Sequence, residues 1–158
     1  MEMNDTECNF VTYNKSHEEI INNGIEAISD YLIRANESEK RSLLLCLDKF
    51  LDPYYGYKLT YFNEIIILLQ KNLFVDHSKV VKEDLIQLIT DYSLETLDYL
   101  ADNIDSIEPE LLSDAINALG STYNMLYLPI FIRYENHGNG VVQESAKEAL
   151  IELKNKNK

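Results

Sequence analysis

Glycine and proline are scarce in this chain, at five and three of 158 residues. An all-β fold needs turn residues at every hairpin, so their scarcity favours helices joined by short connections. Cysteine is scarce too. Cys46 sits inside the apolar run Leu43 to Leu47 and reads as a small core residue, and with only Cys8 beside it free thiols are expected. Long hydrophobic runs are absent: the longest, Met125 to Ile132, is far too short to span a bilayer. Residues 1–14 carry Glu2, Asp5 and Glu7 and lack the basic start and apolar centre of a signal peptide, so the cytoplasm is the expected location. The sharpest absence is positive charge. From Glu83 to Ile132 there is no lysine, arginine or histidine.

That stretch instead holds ten carboxylates: Glu83, Asp84, Asp91, Glu95, Asp98, Asp102, Asp105, Glu108, Glu110 and Asp114. The formal net charge of the chain is −13. An acidic tail could look like this, but Leu85, Leu88, Leu94, Leu97, Leu100, Ile104, Leu111, Leu112, Ile116 and Leu119 recur through it at helical spacing. The pattern predicts folded helices with a one-signed coat. Direct nucleic-acid binding is excluded as a leading reading, because it needs lysine and arginine to displace counterions. Anionic membranes are disfavoured for the same reason.

The length fits one domain. The expected organisation is an N-terminal arm at 1–15, an α-helical repeat domain at 16–154 and a short tail at 155–158. Eight helices are predicted. Ser16 with Glu19 reads as a capping box opening a helix that carries Ile21, Ile25, Ile28 and Leu32 on one face. Asn36 or Ser38 caps a second, which Asp52-Pro53 ends. A third starts near Thr60, Ser78 caps a fourth and Ser93 a fifth. Pro109 lies in the first turn of a sixth that Gly120 closes. The seventh spans about Thr122 to Tyr134, and His137-Gly138-Asn139-Gly140 leads into the eighth, running to about Leu153.

A period of about thirty residues underlies these helices. Ala115, Ala118 and Leu119 return as Ala146, Ala149 and Leu150, and Leu97 and Leu100 return as Leu128 and Phe131. Val80-Val81-Lys82-Glu83 returns two periods later as Val141-Val142-Gln143-Glu144. A two-helix unit of that size cannot bury its own apolar face, so units must stack. The last unit, with Leu128-Pro129 early in its first helix and Val141, Val142, Ala146 and Ala149 in its second, resembles the HEAT repeat. The likeness is clearest over 93–153. Gln143 stands where that family usually has arginine, and Asn139 where an aspartate is common. The resemblance implies an all-α, right-handed solenoid of about four antiparallel helix pairs, and a role as a binding surface.

Catalytic chemistry finds no foothold. His17, His77 and His137 have no ligand spacing to another histidine or a cysteine, so no metal is expected. Gly138-Asn139-Gly140 lacks the lysine or serine of a phosphate loop, and no nucleophile-elbow sequence occurs. Carboxylates are plentiful, yet none is singled out for the desolvation that acid-base work requires. A non-enzyme without cofactors is the expectation.

The acidic coat is the better lead. Glu95, Asp98 and Asp102 form a stripe on the predicted fifth helix, and Glu110, Asp114 and Asn117 form another on the sixth. Like charges at such spacing cost about 0.2–0.5 kcal/mol per pair, so stability alone would not select them. If second helices of successive units line up, Asp84 and Asp91, Glu110 and Asp114, and Glu144 and Glu148 make one ledge. Tyr54, Tyr55 and Tyr57 cluster at a turn and are candidate aromatic anchors. Together these residues point to a basic protein partner. By type, the chain resembles the small acidic immunity proteins of contact-dependent growth inhibition. That resemblance implies a cytoplasmic protein, monomeric when free, that occludes the cleft of a cognate nuclease toxin. A HEAT-like scaffold or chaperone adaptor is the alternative.

Overall fold

The computed structural model describes residues 11–156. Among them every regular element is helical, with nine α-helices, three short 3-10 turns and no strand. The expected count of eight fails at one place. The first predicted helix is two, α1 (Lys15–Asn22) and α2 (Ile25–Arg34), separated at Asn23-Gly24. Gly24 has φ 108°, a conformation a side chain resists, so the ladder cannot continue through it. The Ser16–Glu19 box is also corrected. Asn14 is the cap: its side chain accepts the Ser16 N–H at 2.9 Å, while His17 Nδ1 accepts the Asn14 N–H at 3.1 Å. Residues 1–10 of the expected arm, and residues 157 and 158 of the expected tail, lie outside the described residues.

Helix α3 (Glu37–Leu51) opens as anticipated at Asn36, which accepts the Glu39 N–H at 2.8 Å while Glu39 accepts the Asn36 N–H at 3.0 Å. A 3-10 turn (Pro53–Tyr55) follows, then α4 (Phe62–Val75) and α5 (Lys79–Tyr92), whose cap is Ser78. Ser93 caps nothing ahead of it. It ends α5, and the next helix, α6 (Asp98–Asp102), starts five residues later and lasts little more than a turn. After a 3-10 turn (Ile104–Ser106) come α7 (Pro109–Gly120), a 3-10 turn (Met125–Tyr127), α8 (Leu128–Tyr134) and α9 (Gly140–Lys156). Helix α9 continues through residues 155 and 156.

Contacts divide the chain into two compact units, one ending at Ile65 and the other beginning at Ile66. In the first, α1 packs against α2 and α3. Ile21, Ile28, Leu43 and Leu47 are fully buried there, and the half-buried Tyr61 donates its hydroxyl proton to the Ile21 carbonyl. Cys46 belongs to this core, and burial pushes its thiol up to about 11, with Glu18 adding to the shift and Lys49 opposing it. A reactive thiolate is thereby disfavoured.

In the second unit α7 packs against α5, α6 and α9, and α9 packs against α8. Equivalent positions have matching burial: Ala115 and Ala146, one period apart, are fully enclosed, as are Val81 and Val142, two periods apart, to within a few percent. Gly120 does not close α7 through a left-handed turn, since it is the last helical residue and Ser121 follows in right-handed conformation. Its role is packing. A Cβ there would meet Ala149 Cβ at 3.1 Å, so α7 and α9 approach as closely as small residues allow. Hydrogen bonds also follow the period. Gln70 Oε1 accepts the Leu100 N–H at 2.9 Å, thirty residues on, and the Tyr127 hydroxyl accepts the Leu97 N–H at 2.6 Å, thirty back. Asn124 donates to the Glu95 carbonyl, and Ser113 meets Ser145 at 3.1 Å.

Candidate partner-binding surface

The carboxylates singled out from the sequence all belong to the second unit, and Tyr54, Tyr55 and Tyr57 to the first. On α5 the outward stripe runs Lys79, Glu83, Gln87 and Asp91, spaced by four. Asp91 accepts two bonds from the Gln87 amide at 3.0 and 3.1 Å, and Asp84 sits on the half-buried flank. On α7, Glu110, Asp114 and Asn117 are all exposed, opposite the buried Leu111, Leu112, Ala115 and Leu119. Glu144 is exposed on α9.

The stripe expected on the fifth helix is not one stripe. Glu95 precedes α6 in a bend, so only Asp98 and Asp102 share that helix. Asp98 has a structural task. Its Oδ1 accepts the Tyr127 hydroxyl at 2.6 Å, and that hydroxyl in turn serves the Leu97 amide. Burial, then the bond to Asp98, holds the Tyr127 phenol above its usual value. Asp105 is likewise engaged, accepting from Arg133 at 3.0 Å and from the Tyr134 hydroxyl. Lys82, buried on α5, pairs with Glu108.

Sequence reading missed these engagements because each partner lies 26 to 29 residues away. Lys82 and Arg133 flank the cation-free stretch, and each reaches inward to neutralise one of its carboxylates. Among the described residues, no cation pairs with Asp102, Glu110, Asp114 or Glu144. The exposed Glu95 likewise meets no cation, and with these four it forms the unpaired part of the coat.

At the tyrosine turn, Tyr54 is 86% exposed and Tyr55 52%. Tyr57 stacks on Phe50 with centroids 4.3 Å apart, and Lys49 Nζ lies 5.8 Å over Tyr55 and 5.9 Å over Tyr57. These rings therefore already hold one cation against their faces. Two of the three histidines serve local structure: His17 caps α1, and His137 accepts the Asn139 N–H at 3.0 Å. Asn139 Oδ1 takes the Val141 N–H at 2.9 Å and the Val142 N–H at 3.2 Å, so the amides at the start of α9 are occupied from within. Among the described residues no three His, Cys, Asp or Glu side chains gather as a metal set, and no helix is long and apolar enough to cross a membrane.

Comparison with protein-family models, curated proteins and solved structures finds no match to this chain.

Proposed function

We propose that this protein binds a strongly basic protein through the exposed carboxylates of its second unit, as a stoichiometric inhibitor of immunity type. The cognate target in this reading is a nuclease toxin, an RNase foremost, whose cleft must be cationic to hold its substrate. Lysines and arginines around that cleft pair with Asp102, Glu110, Asp114 and Glu144, and the substrate is displaced by occupancy. The observation that carries the reading is the contrast within one coat. Asp98, Asp105 and Glu108 are used internally, while these four are exposed without a cationic partner. Tyr54, Tyr55 and Tyr57 supply aromatic area of the kind that anchors interfaces.

A right-handed solenoid of antiparallel helix pairs is part of the proposal. Its support is the thirty-residue recurrence of both burial and hydrogen bonds, together with the α5–α7–α9 packing order. Such a frame lines up equivalent faces and gives the carboxylates fixed spacing.

The test is co-purification with a candidate basic nuclease, followed by inhibition and association kinetics. An association rate that falls steeply between low and physiological salt is expected. Reversing Asp102, Glu110 and Asp114 to lysine should abolish inhibition while helicity is kept; Asp98 is left alone because it supports the fold. Inhibition that survives the triple reversal sinks the carboxylate surface. The alternative, a scaffold or adaptor, predicts two different proteins held at once and no nuclease silenced.

A further inference from the structure

Helices α8 and α9 enclose an open groove of ≈ 770 Å³ with Met125, Leu128, Ile132, Leu150 and Ile151 among its lining residues. Met125, Ile132 and Ile151 are each about half exposed, at 49%, 51% and 59%. The opposite face of α9 is already spent on α7, where Gly120 and Ala149 meet. The groove side of these helices presents aliphatic side chains to solvent, where a polar face would be the ordinary choice.

We propose that the groove is where two copies of this chain meet about a two-fold axis. Charge selects the occupant. Each copy carries −13, so copies repel wherever the acidic coat faces outward. Across residues 133–156 the balance differs: Arg133, Lys147, Lys154 and Lys156 stand against Glu135, Glu144, Glu148 and Glu152. The lining of the groove carries both signs, with Glu135 just past the end of α8 and Lys147 and Lys154 on α9. In a two-fold contact a residue of one copy meets a different residue of the other, and the reverse contact repeats it. Glutamate can therefore face lysine twice. Charges elsewhere are screened beyond about 8 Å at physiological salt. A cationic partner suited to the acidic coat has no such reason to choose this site, so the inference stands apart from the inhibitor reading.

Sedimentation equilibrium and light scattering on the full chain, up to about 200 µM, test it. The wild type is expected to dimerise. Ile132→Asp with Ile151→Asp should weaken the dimer at least about 100-fold without changing helix content, because both positions are solvent-exposed in the single copy. Lys147→Glu with Lys154→Glu should also give monomers, as should Glu135→Lys, each through like-charge facing. Mixing those two charge variants should restore a dimer of one of each. A wild type monomeric at 200 µM, a dimer indifferent to the isoleucine changes, or no pairing on mixing would each overturn the proposal. So would a monomer whose groove takes up the dye 1-anilinonaphthalene-8-sulfonate, which would assign the groove to a foreign occupant.

Discussion

Helices α5 to α7 and helices α8 to α9 share one buried pattern and wear opposite surfaces. Inside, both place leucine, isoleucine and small residues at matching positions a period apart. Outside, the first region has no cation past Lys82 in the opening turn of α5, and the second balances its charges around an aliphatic groove. The inner positions are constrained by helix approach, as at Gly120 and Ala149. The outer ones are free of that constraint and can be assigned to recognition. A repeated core therefore leaves each unit able to face a different neighbour.

The comparison breaks most visibly if the last helix pair is an appendage instead of core. Phe131 is 1% exposed, and Phe131→Ala should cost about 3–5 kcal/mol in urea unfolding if α8 is integral. A loss below about 1 kcal/mol would detach it. Tyr127→Phe comes next, since it leaves the Leu97 amide and Asp98 without their shared hydroxyl, at about 1–3 kcal/mol.

The same group sets a pH dependence. Burial raises the folded pKa of Tyr31, Tyr61, Tyr127 and Tyr134 above 10.0. Their contribution is fully present below pH 10 and is lost as pH rises through the raised folded values. Stability should therefore fall on the alkaline side, above pH 10, in urea unfolding repeated across pH. Stability unchanged through that range would contradict this.

Two neighbouring glutamates sharpen the contrast further. Glu108→Gln deprives the buried Lys82 of its counter-charge and should cost about 1–2 kcal/mol, less than a fully buried pair because Glu108 is half exposed. Glu110→Gln, on the outer face, should change stability by less than about 0.5 kcal/mol while slowing association with a basic partner. Equal stability costs for the two would erase the distinction between structural and available carboxylates.

What the sequence conveyed, and where it stopped, follows the same line. Some local start signals were legible, namely Asn36, which stood beside Ser38 as an alternative, Ser78, and Pro109 in the first turn of α7. The Asn14–His17 box was mistaken for Ser16–Glu19 two residues on. The break at Gly24 was hidden because Ile21, Ile25, Ile28 and Leu32 keep helical spacing across it. The start of α6 was misplaced at Ser93 for another reason. That helix has no capping side chain of its own, and its amides are met by residues thirty positions away in either direction. On the surface, the carboxylates themselves were legible from local pattern. Which of them are occupied depends on Tyr127, Arg133 and Lys82, and no local pattern carries that information.

The five-residue α6 draws its order from outside itself. Too short to persist alone, it has its Leu97 amide closed by Tyr127 and its Leu100 amide by Gln70. Its deuterium uptake should therefore be governed by opening of the surrounding unit, with no separate fraying step. Removing the chain from Met125 onward would leave this segment a preferred point of proteolytic nicking, well upstream of the cut.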